Sequence, residues 1–180
     1  MADAAAEAKE VAALDTVLFR FATAEDDKFA AAVVRVLPRV LPRLESPSSK
    51  VRAKVMEVLR HINTRLKEFD SLVLPVEKIL DIFASASSIY TKTFSLVYAA
   101  KGFPRLAPPD RAPLLPRLVA GVAGIRAGLR TQCLQIFASA LPGFDWRNEQ
   151  GEATDALSFL SPASLKTAGG GGGDQKGGAE

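Results

Sequence analysis

Residues 50–66 read KVRAKVMEVLRHINTRL. Val51, Val55, Leu59, Ile62 and Leu66 recur at steps of three and four, the period that lines one face of an α-helix. Arg52, Lys54, Arg60, His61 and Arg65 fall between them. One stripe is apolar and the rest is basic. Such a helix suits three settings: a nucleic-acid groove, a membrane surface, or one rung of a larger helical array.

The neighbouring sequence favours the third setting. Residues 35–67 carry nine Lys or Arg (35, 39, 43, 50, 52, 54, 60, 65, 67) against Glu45 and Glu57, yet no Phe, Tyr or Trp. Binding to single-stranded nucleic acid uses exposed aromatic rings beside the cations. A helix lying in a membrane surface wants Trp or Phe on its apolar side. The apolar side here is Val, Leu and Ile, which suits packing into a core. No run approaches the roughly 20 apolar residues that span a bilayer, so membrane insertion is not expected.

Nearly everything up to residue 143 reads helical, and no alternating run argues for a sheet. Leu14, Leu18 and Phe21 share a face over 11–22. TAEDD at 23–27 offers an N-cap and acids for the first turn of a second helix over 26–44. Pro38 and Pro42 predict a kink or break near 37–42, because each removes an amide donor and crowds the preceding turn. SPSS at 46–49 caps the quoted helix, which should run to Phe69. Pro75 opens a helix to Ala84. The next spans 88–101, with Ile89, Tyr90, Phe94, Val97 and Tyr98 as its large positions, Gly102 as C-cap and Pro104 as a stop. Helices over 109–121 and 125–141 follow, separated by Gly124 and closed by Pro142-Gly143.

VRAKVMEVLRHI at 51–62 aligns with IRAGLRTQCLQI at 125–136, an offset of 74 residues, with the helix at 88–101 halfway between. A period near 40 residues with two helices per unit is the HEAT or armadillo range. The expected fold is all-α: about three antiparallel helix pairs over 11–145, after a flexible acidic N-terminus at 1–10. Residues 146–180 are polar, contain five consecutive glycines at 169–173, and read as a disordered tail with one apolar cluster at 156–160.

Composition narrows the chemistry. The 180 residues are 48% hydrophobic, enough for one globular domain or a few stacked repeats, and carry a net charge of +3. The charge is uneven: seven acids against three bases in 1–28, then the basic stretch. That asymmetry favours a charged partner. A single histidine, His61, rules out a multi-histidine metal site and reads as a surface or boundary residue. The single cysteine, Cys133, forbids an intramolecular disulfide and falls in an apolar pattern, as a buried small hydrophobe would. The acids form no pair in a recognisable cleft. The glycine run lacks the Gly-Lys-Ser/Thr of a phosphate loop. No catalytic, metal or cofactor site is expected, and no small-molecule substrate. MADAAAEAKE is no secretory signal, so the expected location is the cytosol, with or without the nucleus.

LFRFATAEDD (18–27), VLPRVLPRL (36–44), VRAKVMEVLRHINTRLK (51–67), LPVEKIL (74–80) and FSLVYAAKGFPRL (94–106) together resemble the N-terminus of the proteasome adapter and scaffold family. These are very large HEAT-repeat proteins that associate with the proteasome. The resemblance runs over about 14–144, in order and at similar spacing, and includes no catalytic motif. It implies a non-enzymatic protein-binding module whose partner is the proteasome, core or regulatory particle, and which supports its assembly or stability. Family members bridge the two particles, and a bridge needs two separated surfaces. Three repeats offer one at most, so bridging is not expected of this chain alone. Two alternatives stand beside this: a nucleic-acid-binding helical repeat using the basic face 35–67, and an inactive truncated fragment.

The expected protein-binding residues are Arg52, Lys54, Arg60, Arg65 and Lys67 on the basic helix, and Lys101, Phe103 and Arg105 on the turn KGFPRL at 101–106. Arg52 also suits a contact within its own repeat. Phe103 has two readings, a plug in the core or part of an exposed recognition loop.

Overall fold

Ser48 starts the decisive helix. Its backbone is extended and its side chain accepts the Val51 N–H at 3.3 Å, meeting one of the donors that a helix N-terminus leaves unpaired. In the computed structural model, which describes residues 2–69, 72–122 and 125–140, this helix is α3, Ser49–Arg65. Before it come α1 (Ala2–Thr23) and α2 (Asp26–Val40). After it come α4 (Val76–Ser85), α5 (Ile89–Gly102), α6 (Pro108–Arg111), α7 (Leu115–Ala120) and α8 (Ala127–Ala140). The chain divides into units 1–141 and 142–180, and every described residue belongs to the first. No strand occurs among the described residues. The tail at 146–180, its cluster at 156–160, Gly124 and the Pro142-Gly143 stop lie outside them.

The prolines act as their chemistry requires. Pro38 is accommodated inside α2, and at Pro42 the chain tightens into a 3₁₀ turn, Leu41–Glu45. Pro113 and Pro116 break the helix expected over 109–121 into α6, a 3₁₀ turn at Ala112–Leu114, and α7.

Helix α1 begins at Ala2 rather than near residue 11. Its alanine-rich start has high intrinsic helicity without an apolar stripe to announce it. Two acids in that start are held: Glu7 accepts from the Ser48 hydroxyl at 2.6 Å and from Lys50 at 2.9 Å, and Glu10 pairs with Arg43. Further along, Asp15 pairs with Lys54 at 2.9 Å, and the Phe21 carbonyl accepts from Arg65. Contacts thus rise together along both helices, so α1 runs parallel to α3 and packs along it. Helix α2 runs in the opposite sense to α3, since its start meets the end of α3 through Asp26 and Phe29 and its end leads into the 3₁₀ turn packed on α3. The packed helix pairs are α1 with α3, α4 with α5, and α7 with α8.

The repeat is visible in the core. Val55, Thr91 and Leu129 are buried at equivalent positions of α3, α5 and α8, spaced 36 and then 38 residues apart. The same spacing relates buried Leu59, Ser95 and Cys133, then Ile62, Tyr98 and Ile136, then Leu66, Gly102 and Ala140. Fully burying a Val, Leu or Ile contributes about 1.5–3 kcal/mol. The central helix differs from its neighbours. Of its large residues Leu96 and Tyr98 are fully buried, the Tyr98 hydroxyl donating to the Leu59 carbonyl at 3.2 Å, while Tyr90 is 68% exposed. The inner face of α5 sets the small groups Thr91, Ser95, Ala99 and Gly102 beside Leu96 and Tyr98.

Gly102, expected as the C-cap of α5, is instead its last helical residue, at a φ of −84°, and Phe103 is the C-cap. The position needs glycine because an added Cβ would overlap Val76 Cγ2 and lie 3.2 Å from Leu74 Cβ.

Candidate protein-binding face

The nine cations of 35–67 separate into two groups once their partners are known. Five are used inside the fold. Arg43 and Lys50 hold the start of α1, as above. Arg52 donates to the carbonyls of Ser46 at 2.7 Å and Pro47 at 2.8 Å, bracing the turn that leads into its own helix. Lys54 lies between Asp15 and Glu57, at 2.9 and 2.7 Å, and both partners raise its pKa, the Glu57 hydrogen bond first. Arg65 reaches back over the α1–α2 connection. It donates to the carbonyls of Phe21 at 2.9 Å and Ala24 at 3.1 Å and to Asp26 at 2.8 Å, with its guanidinium 4.0 Å from the Phe29 ring centre. Arg52, Lys54 and Arg65 therefore position the fold, a role the spacing of charges along α3 does not disclose for Lys54 and Arg65.

The other four, Arg35, Arg39, Arg60 and Lys67, are exposed and have no side-chain partner among the described residues. Arg35 and Arg39 stand one turn apart on the outer side of α2. Arg60 and Lys67 border a groove of about 270 Å³ between α3 and α5. Met56, Leu59, Asn63 and Thr64 line its α3 side and Phe94 its α5 side. The side-chain oxygen of Asn63 is shielded from solvent and has no donor.

The turn at 101–106 is less available. Phe103 is fully buried and closes the core below α5, which leaves no ring surface for a partner. Arg105 donates to the Leu72 carbonyl at 3.2 Å. Lys101, on α5, is half-buried. A larger hollow of about 600 Å³ lies between the start of α4 and the α6–α7 segment. Its Arg117 is already held by Glu77 at 3.2 Å and by Asp81.

Among the described residues there is no group of three or more His, Cys, Asp or Glu that could hold a metal, and no helix long and apolar enough to cross a membrane. His61 packs edge-on against Phe29, ring centres 6.5 Å apart. Cys133 is buried, and burial pushes its thiol up to about 11, away from nucleophilic use.

Comparison with known proteins gives this face a context. The family described as Proteasome component ECM29, N-terminal, matches residues 14–167, running through the expected boundary at 145. The chain is 37% identical over 135 residues to the Proteasome-associated protein ECM29 homolog of Drosophila melanogaster, which is 74% of this chain and 7% of that protein. It is 35% identical over 128 residues to the Proteasome adapter and scaffold protein ECM29 of Homo sapiens, 69% of this chain and 7% of that protein. Identity to the Proteasome component ECM29 of Saccharomyces cerevisiae is 26% over 161 residues, 86% of this chain and 8% of that protein. The match thus spans less than a tenth of the length of these relatives. No solved structure matches the chain.

Proposed function

Because this chain belongs to the family of the ECM29 N-terminal region, we propose that it is a non-enzymatic docking module that binds the proteasome and supports its assembly or stability, in the cytosol, with or without the nucleus. The observation that carries this reading is the family match over 14–167, with relatives whose names describe proteasome association. The helical array suits the role: stacked repeats present long, firm surfaces for protein contact. The four cations without internal partners, Arg35, Arg39, Arg60 and Lys67, supply the charge that would meet an acidic surface.

Nucleic acid is less well served. With five of nine cations held internally, few remain for a phosphate chain, and long-range attraction to phosphates depends on their number.

The test uses the immobilised full chain with purified core particles and purified regulatory particles in separate runs. Binding of either that weakens as salt rises is the expected result. Absence of binding to both, with the helical circular-dichroism spectrum intact, would refute the reading. Charge reversal belongs at Arg60 and Lys67 and not at Arg65, whose loss would injure the fold before it touched a partner.

A further inference from the structure

We propose that the groove between α3 and α5 receives an acidic peptide segment in the polyproline II conformation, carrying two carboxylates three residues apart with an apolar side chain between them. The inference rests on reading the chain as a docking module and names the chemistry of what it docks.

Four observations lead to that chemistry. First, the groove is positive without compensation. Arg60 and Lys67 border it, no carboxylate lines it, and the nearby Glu57 is held by Lys54 at 2.7 Å. Secondly, its walls are mixed. Met56 and Phe94 give it an apolar side, and methionine adapts to varied side-chain shapes. Thirdly, Asn63 lies between the two cations in sequence and on the same wall, with an oxygen that lacks a donor. A main-chain N–H in the groove would supply one after a small turn of the amide. Fourthly, the spacing fits a chain with three residues per turn. Arg60 is on α3 and Lys67 in the turn just past its end, where Leu66 keeps right-handed helical backbone; seven residues at near-helical rise advance about 10 Å. A polyproline II chain rises about 3.1 Å per residue, so side chains three residues apart share one face about 9 Å apart. One carboxylate would take the fork of Arg60 and the next the ammonium of Lys67.

Single-stranded nucleic acid fits less well. It stacks successive bases on several rings, and Phe94 is the one ring lining this groove.

The experiment measures fluorescence anisotropy of a labelled Gly-Glu-Leu-Gly-Glu-Gly peptide with the full chain. A Gln-for-Glu peptide, a Lys-for-Glu peptide and a short oligothymidine run in parallel. The expected result is selective binding of the Glu peptide, weakened about tenfold or more in Arg60→Glu/Lys67→Glu. The Lys peptide should then bind the double variant better than it binds the unaltered chain. Both substituted residues are exposed, so the helical spectrum and melting temperature should stay unchanged.

Equal binding of the Glu and Gln peptides would overturn the proposal. So would no binding at all, binding unaffected by the double variant, or tighter binding of the oligothymidine. Proteasome binding is scored separately on the same variant. If it persists while peptide binding is lost, the docking reading stands and the groove serves another segment. If the peptide binds and no proteasome particle does, the groove stands and the docking reading fails.

Discussion

Replacing Arg65 with alanine should destabilise the chain by about 3 kcal/mol, whereas the same change at Arg60, five residues earlier on one helix, should cost less than about 0.5 kcal/mol. The Arg65 side chain is 17% exposed. It supplies two hydrogen bonds to main-chain carbonyls, and each of these contributes about 1 kcal/mol net. Its stacking on buried Phe29 adds about 1 kcal/mol. The pair with Asp26 adds little, because that carboxylate is 78% exposed. For a chain of this length a loss of 3 kcal/mol lowers the melting temperature by roughly 6–12 °C. Thermal melts followed by circular dichroism at 222 nm would measure it. Arg65→Lys should recover only part of the loss, since an ammonium cannot span both carbonyls while lying flat on the ring. Asp26→Asn should fall near the unaltered chain. A melt of Arg65→Ala within a degree or two of the unaltered protein would refute the structural role given to this residue. So would an equal fall in Arg60→Ala.

Three further outcomes are expected. Gly102→Ala gains helix propensity but must displace Leu74 and Val76, both fully buried. A net loss of about 1–2 kcal/mol in urea unfolding is expected, partly relieved by Val76→Ala in the same chain. Glu45 accepts the N–H groups of Ser87 and Ser88, both at 2.9 Å, and these bonds hold its carboxyl below its usual 4.5. Its stabilisation is therefore complete above pH 4.5 and is lost as pH falls through the lowered folded value. Glu45→Gln should thus be less stable than the unaltered protein at neutral pH and converge on it in acid. Cys133, buried with its thiol pushed up to about 11, should resist a disulfide-exchange reagent in the native state and react at once in urea; fast native reaction would refute its burial.

Much of the fold can be read in the residues because its signals are local. Ser48 and Ser88 cap helices by their own hydroxyls, Pro75 stands at a helix start, and Val51 to Leu66 mark a buried stripe by spacing alone. What eluded the pattern depends on contacts distant in sequence. The start of α1 has no apolar stripe and is held by charges some forty residues away. The inner face of α5 includes Thr91 and Ser95 beside Tyr98, so of the large residues read along it Tyr98 is buried while Tyr90 is exposed. Gly102 looks like a cap from its place after Lys101, while its size is required by Val76 across the pair. The candidate face suffered most. A row of arginines shows which way each side chain leaves the helix, not what a long one reaches, and Arg60 and Arg65 are indistinguishable until the carbonyls of Phe21 and Ala24 are in place.

The uneven inner face of α5 has a mechanical consequence. Where α3 and α8 bury branched or sulfur-bearing side chains, the middle rung buries Thr91, Ser95 and Gly102, and the Ser95 hydroxyl finds no partner there. In an array whose units touch only their neighbours, resistance to pulling is set rung by rung. The apolar hold of the middle rung is gathered in Leu96 and Tyr98, whereas α3 spreads its own over Val51, Val55, Val58, Leu59 and Ile62, so the load the middle rung carries rests on fewer side chains.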